Sequence, residues 1–234
     1  MNFRSLEELN KRIINCRKCP RLVKWREKIA KEKVARFKNW NYWGKPVPGF
    51  GDPQGKLLII GLAPAAHGGN RTGRMFTGDR SGDWLYRALF KFGFANQPES
   101  ISKDDGLKLN NCYITAIVRC APPENKPDIW EIKNCNIYLR NEFDLLKEIN
   151  TIVTLGGLAF STTIRTLLGA GFERINGNLK FKHGNELTFI NHKNGKKINL
   201  ICSYHPSQRN TFTGKLTEEI FDKIFIRAKE LIEK

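Results

Sequence analysis

Four cysteines, one long glycine-rich loop and one histidine after an apolar run carry the chemistry open to this sequence. Cys16 and Cys19 form a Cys-Arg-Lys-Cys pair, a spacing shared by zinc knuckles, redox pairs and iron–sulfur sites. Cys120 and Cys135, with 14 residues between them, are the best placed to complete a four-thiolate set. Such a set holds Zn²⁺ or a [4Fe–4S] cluster, and spacing alone does not choose. Flanking Lys and Arg residues favour the anionic sulfur either would need. Cys112 and Cys202 fall within apolar runs, where cysteine serves as a small buried hydrophobe, and both stand outside the set. Nothing in the sequence points to an oxidising compartment, so three disulfides are not expected.

The loop runs from Gly61 to Asp79, GLAPAAHGGNRTGRMFTGD. It has neither the Gly-Lys-Ser/Thr of a Walker loop nor the order of a GxGxxG turn. Its glycines let backbone amides approach a ligand closely, with Phe76 and Asp79 directed into the pocket. Further on, Tyr204-His205-Pro206-Ser207 sets an imidazole directly after an apolar run.

The elements that must position these groups alternate between strand and helix. Ser5-Leu6-Glu7-Glu8 has capping-box spacing and opens a first helix of about ten residues. Pro20 starts a second, basic helix reaching roughly Phe37, and 39–55 is a loop rich in Gly, Pro and Trp. Strands are predicted at 56–60, 111–118, 151–155 and 198–203. Helices are predicted at 83–92, 128–149, 157–168 and 217–233. Residues 177–199 read as an antiparallel hairpin, turning at His183-Gly184-Asn185 or at Asn194-Gly195. This alternation predicts an α/β fold with a mainly parallel central sheet covered on both faces. Sites in such sheets form at the carboxyl ends of the strands, here 61–79, 119–125 and 204–209.

Length and charge narrow the function. At 234 residues the chain suits a single α/β domain, 1–234, with 1–55 as a basic helical N-terminal region. The net charge is +17, unusual for a metabolic enzyme. It is concentrated: 1–56 holds 15 basic and 5 acidic residues, net +10, and 151–214 holds 8 and 2, net +6. A lopsided basic excess suits a polyanion, whose condensed counterions are released on binding. No apolar run approaches the ~18 residues of a spanning helix, so no membrane partner is expected. The first residues lack the apolar core of a signal peptide, which predicts a cytoplasmic, DNA-associated protein.

The Gly61–Asp79 loop is similar to the first active-site motif of family 5, the type B enzymes, in the uracil-DNA glycosylase superfamily. The initial CxxC, VRCAPPENKP with downstream Cys135, and YHPS follow in the family's order. Met75 departs from the proline that resemblance leads one to expect. The resemblance implies a three-layer α/β/α fold with its N-terminal helices tied by a [4Fe–4S] cluster on Cys16, Cys19, Cys120 and Cys135. It implies a monomeric glycosylase acting in base excision repair on double-stranded DNA, with single-stranded DNA as a second form.

It also implies roles. Phe76 is similar to the residue that stacks on the flipped base, and Asn125 to a polar residue of the pocket. His205 matches the group that stabilises charge on the departing base. Ala63 stands where many members carry Asp or Asn, so Asp79 takes over the water or the sugar cation. As the alternative to catalysis, Asp79 is a helix N-cap, with Ser81 or Asp83 equally able to cap. His67 contacts phosphate or substrate, or holds the glycine turns, and Arg71 and Arg74 pair with phosphates or loop acids. Ser207, Arg209 and Asn210 contact DNA, and 208–212 supplies a wedge or, equally, is a helix-entry loop whose Phe212 packs inward. Ala116, where family 4 carries an Asn, implies tolerance for hypoxanthine and xanthine. Two other readings compete: a strict family 4-like uracil glycosylase, and a non-catalytic iron–sulfur or zinc module that binds nucleic acid.

Overall fold

Strand β2 (Leu57–Gly61) is apolar throughout and wholly buried, and its alternate side chains divide the core in two. The computed structural model describes residues 3–233. Leu57 and Ile59 point into a cluster with residues of α4 (Arg80–Lys91) and α8 (Glu218–Ile232), among them Leu85, Leu89, Phe221 and Phe225. Leu58 and Ile60 point the other way. They meet α1 (Leu6–Ile14), α2 (Pro20–Glu32), α5 (Ile129–Leu145) and α6 (Gly157–Gly169) through Leu9, Ile13, Leu22, Leu139 and Phe160. Burial on both faces is what lets a central strand read as an unbroken apolar run. Each such Leu or Ile contributes about 1.5–3 kcal/mol.

The sheet has seven strands in the order β1 (Phe50–Gly51), β3 (Cys112–Ala116), β2, β4 (Thr151–Leu155), β7 (Lys196–Ser203), β6 (Glu186–Asn191) and β5 (Glu173–Asn176). Its centre is parallel: β3, β2, β4 and β7. Ile59 lies opposite Ile114 on one side and Val153 on the other. Its edges are antiparallel: β1 on β3, and β6 with β5 beyond β7. The expected three layers are therefore present, although half of the strand pairings are antiparallel. Among the described residues no helix is long and apolar enough to cross a membrane.

Several boundaries differ from expectation. Helix α2 stops at Glu32, where Lys33 takes a left-handed φ of 56°, and only a single turn over Ala35–Phe37 follows. Helix α5 ends at Leu145 rather than near 149. The hairpin turns at Asn194-Gly195, whereas 183–185 precedes β6. At Ser5 only half of the capping box forms: Glu8 N donates to Ser5 Oγ, while the Glu8 carboxylate takes the Arg4 amide. Two short helices lie inside the functional loops, α3 (Gly69–Thr72) and α7 (Gln208–Phe212).

Candidate active site

The three predicted loop clusters meet in one cleft at the carboxyl ends of the parallel strands. Ala63, His67, Phe76 and Asp79 line it from the loop after β2, Asn125 from the segment after β3, and His205, Ser207 and Arg209 from the segment after β7. Asn210 does not line the cleft; its Nδ2 donates to the carbonyl of His205 at 2.8 Å. Ser207 N donates to the same carbonyl, and Ser207 Oγ caps α7, so both residues fix the backbone that presents the imidazole.

The loop after β2 is packed from beneath. Phe76 adopts a φ of 53°, and its ring lies over Gly61, where a methyl carbon would stand 2.6 Å from the ring edge. A left-handed non-glycine costs of order 1–3 kcal/mol unless its surroundings impose it. Here they do: the Met75 carbonyl accepts from Tyr86 Oη at 2.9 Å, and Met75 itself is buried. The Phe76 and His205 rings sit 6.1 Å apart, tilted by 31°. A planar base entering the cleft would therefore meet an aromatic face and an imidazole together.

Asp79 is the N-cap of α4, one of the two roles expected for it. Its Oδ1 accepts from Gly82 N at 3.1 Å, whereas Ser81 and Asp83 do not cap. Burial pushes its carboxyl up to about 6 against the opposing Gly82 and Ser81 amides, with Asp83 adding to the rise. Burial holds His205 down at about 4, so the imidazole is neutral at physiological pH. Behind it, Tyr204 N donates to Nδ1 of His183 at 3.1 Å, leaving Nε2 of His183 to donate to the Ile220 carbonyl at 3.1 Å. His67 pairs through Nδ1 with Tyr42 Oη at 3.0 Å, and burial lowers its pKa.

Neither loop arginine is presented to a phosphate. Arg74 is buried, bonded to Ser100 Oγ at 2.8 Å and to the Asp105 carboxylate at 2.7 Å, so of the two expected partners it takes the loop acid. Arg71 is also buried. It donates to the carbonyls of His67 and Gly78, and its guanidinium lies 3.8 Å from the Phe37 ring centroid and 4.0 Å from that of Trp40. That stack carries an exposed residue the sequence reading missed, Arg36, to the cleft wall. Arg80 and Gln208 line it as well. Ala116 is buried at the end of β3 and does not line the cleft.

Cys16, Cys19, Cys120 and Cys135 line a second, separate cavity beneath α2 and α5, with Leu22, Val23 and Tyr138 around them. Donors point at the sulfurs: Arg26 Nη1 to Cys120 at 2.9 Å, Arg119 N to Cys135 at 3.3 Å and Asn134 Nδ2 to Cys19 at 3.9 Å. Burial pushes the free thiols up, to about 11 for Cys120 and about 12 for Cys135. Arg26 is 2% exposed, and its Nε has no partner. A buried cation of this kind is costly unless anionic charge lies beside it; the exposed Glu27 carboxylate stands 3.9 Å from Nη2, and metal-bound thiolates would add charge on the Nη1 side, which faces Cys120. The donor set therefore fits a metal centre. Among the described residues, no three His, Cys, Asp or Glu side chains converge tightly enough to hold one ion. Cys112 and Cys202 are buried in their strands, outside this cavity.

Fold and cleft together define an α/β protein with a polar and aromatic pocket at its strand ends. A family model described as the uracil DNA glycosylase superfamily matches residues 48–229, and the chain belongs to that superfamily. It is 49% identical over 228 residues to a Type-5 uracil-DNA glycosylase of Mycobacterium leprae, covering 97% of this chain and 96% of the relative. It is 43% identical over 217 residues to a Type-5 uracil-DNA glycosylase of Pyrobaculum aerophilum, covering 93% and 89%. A Type-4 uracil-DNA glycosylase of that organism is 29% identical over 203 residues, covering 86% and 83%.

Proposed function

We propose that the chain is a monofunctional DNA glycosylase that excises uracil by hydrolysing its N-glycosidic bond, a step of base excision repair. One observation carries this reading: Phe76, Asp79, Asn125 and His205, from three strand ends, share one cleft. A module that only bound nucleic acid would not need this convergence.

The base must leave the stack before its glycosidic carbon can be reached. Phe76 gives the flipped ring a platform, and Asn125 stands at the rim to meet its polar edge. As the bond breaks, the sugar becomes cationic and the base anionic. Neutral His205 donates a hydrogen bond to the base oxygen, an interaction that strengthens only as charge develops. Asp79 has its second carboxylate oxygen free of the cap. In its ionised form that group orients the attacking water or stabilises the sugar cation. Ala63 leaves no other carboxylate at the start of the loop.

The cysteine cavity is read as a [4Fe–4S] site. The donors aimed at its thiols support a centre that carries negative charge on sulfur, and the resemblance of the motifs favours a cluster over a single zinc ion. When bound, the cluster supplies a structural tie between α2 and α5, making residues 1–55 part of the same domain. Hypoxanthine and xanthine are further substrates, supported by a cleft wall of Ala63, Ala65, Ala66 and Gly68 that offers few polar contacts to reject a larger base. Duplex DNA is the polyanion suited to the basic segments, and the chain is read as acting as a monomer.

The test is release of abasic product from duplexes carrying uracil, hypoxanthine or xanthine under single-turnover conditions. Uracil duplex is expected to be cleaved, with Asp79→Asn and His205→Ala depressing excision about a hundredfold while DNA binding persists. No product at any salt concentration would leave only the binding module. Cleavage of uracil alone would defeat the broad-substrate reading. Anaerobically purified protein is expected to be brown; colourless, zinc-loaded protein would overturn the cluster.

A further inference from the structure

The turn that brings Asn125 to the cleft is strained. Glu124 and Asn125 both take positive φ, 53° and 57°, in the small left-handed region where non-glycine residues are uncommon. Two such residues in succession persist only when their surroundings hold them. Within the turn, the amides of Asn125 and Lys126 donate to the carbonyls of Pro122 and Pro123 at 3.2 and 2.9 Å. Those bonds close the turn without tying it to the rest of the protein.

The tie comes from Arg21, in the first turn of α2. Its Nη2 donates to the Lys126 carbonyl at 3.0 Å and to Oε2 of Glu131 at 2.7 Å, while Nε donates to Oε1 of Glu131 at 2.9 Å. The Asp128 carboxylate lies 3.1 Å from the same Nε. Glu131 is itself buried, and it accepts the Asp128 amide at 2.7 Å, closing the N-terminus of α5. One guanidinium thus clamps the last residue of the strained turn to the first turn of the next helix. A planar fork suits this arrangement of acceptors, which a lysine ammonium could meet only in part.

We infer that Arg21 is a positioning residue for substrate recognition, fixing the left-handed turn that sets Asn125 against the flipped base. This rests on the reading of Asn125 as a base contact. It gives α2 a second duty beside the cysteine cavity, reaching the cleft through Lys126 and Asn125.

The test is a double-mutant cycle in single-turnover excision of uracil from duplex DNA, using Arg21→Ala, Asn125→Ala and the two combined. Arg21→Ala is expected to slow excision about tenfold, the effect on the turn of losing the charge-assisted hydrogen bond to the Lys126 carbonyl, with binding of undamaged duplex unchanged. In the Asn125→Ala background the same substitution is expected to add less than about twofold. Arg21→Lys should fall between wild type and Arg21→Ala, and it replaces the alanine variant in the cycle if that protein does not fold. If Asn125→Ala excises at the wild-type rate, the reading of Asn125 fails and the inference falls with it. If Asn125→Ala is impaired but Arg21→Ala is not, or if the two losses multiply, Arg21 does not act through Asn125. Loss of visible absorbance per chain in Arg21→Ala would also overturn the inference, since Arg21 would then act through the cysteine cavity.

Discussion

The carboxylate of Asp79 rests directly against the backbone of Gly68: a methyl carbon built on Gly68 would stand 2.1 Å from Oδ2. The other oxygen, Oδ1, accepts from Gly82 N at 3.1 Å. The two oxygens thus have separate duties. One starts α4, and the other stands beside the glycine loop on the cleft side. Capping and chemistry, opposed in a reading of the sequence, are compatible in one residue.

Gly68→Ala is therefore expected to displace Asp79 without dismantling the fold. A misplacement of about 1 Å at a reacting group can cost about a hundredfold in rate, whereas overpacking of this size costs about 1–3 kcal/mol. Single-turnover excision should fall by about two orders of magnitude while Tm falls by only several degrees. Wild-type excision in Gly68→Ala would mean that Oδ2 does not take part.

The elevated Asp79 predicts a particular pH dependence. If the ionised carboxylate acts, excision should fall as pH drops through about 6. His205, held near 4, contributes nothing to that limb. Asp79→Asn should abolish the limb, leaving a slow rate flat from about pH 5 to 8. Stability should move oppositely. The folded state binds the Asp79 proton more tightly than the unfolded state, so ionised Asp79 costs stability above about pH 6. Asn keeps a side-chain oxygen for the cap. Denaturant titrations should find Asp79→Asn the more stable protein at pH 7, with the advantage disappearing by about pH 4. An Asp79→Asn protein less stable at pH 7 would contradict a carboxylate whose burial outweighs its bonds to the Gly82 and Ser81 amides.

The cleft was legible where the chemistry is local. Strands β2, β3, β4 and β7 are short apolar runs with well-marked ends, so the loops bearing Asp79, Asn125 and His205 could be placed at one edge of a sheet. What depends on distant partners was not legible. β5, Glu-Arg-Ile-Asn, is exposed throughout and carries no burial pattern; it is a strand because β6 supplies its partner. The sequence after Glu32 keeps good helix formers, yet the chain turns at Lys33, and Phe37 and Trp40 then enclose Arg71. Arg36 reaches the cleft as a consequence, without a motif to announce it. Arg21 is hidden for the same reason: its acceptors lie more than 100 residues away.

Phe212 offers a test of how the vacated stack is filled. Its side chain is 66% exposed rather than packed inward, and the Arg80 guanidinium stands 4.5 Å over its ring. Arg80 also lines the cleft, so the pair borders the opening through which a base would pass. An apolar wedge matters only where there is a stack to fill. Phe212→Ala should lower excision from duplex about tenfold and leave excision from single-stranded DNA unchanged. Equal losses on both substrates would exclude a wedge.

The last prediction concerns the +10 segment. Lys24, Lys28 and Lys31 are exposed on α2 at helical spacing, and the opposite side of α2 buries Leu22, Val23 and Arg26. The Arg26 carbonyl accepts Asn70 Nδ2 at 3.2 Å, which docks α2 on α3 in the loop that forms the cleft. Helix and cleft are thus held in fixed relation, so a duplex touching both would meet one rigid surface. Each phosphate neutralised contributes about 0.9 to the slope of log affinity against log salt. Reversing all three to Glu should therefore reduce that slope by about 2–3, while excision at saturating enzyme and low salt is retained. An unchanged slope would place these lysines away from DNA and leave much of the +17 as a solvated face.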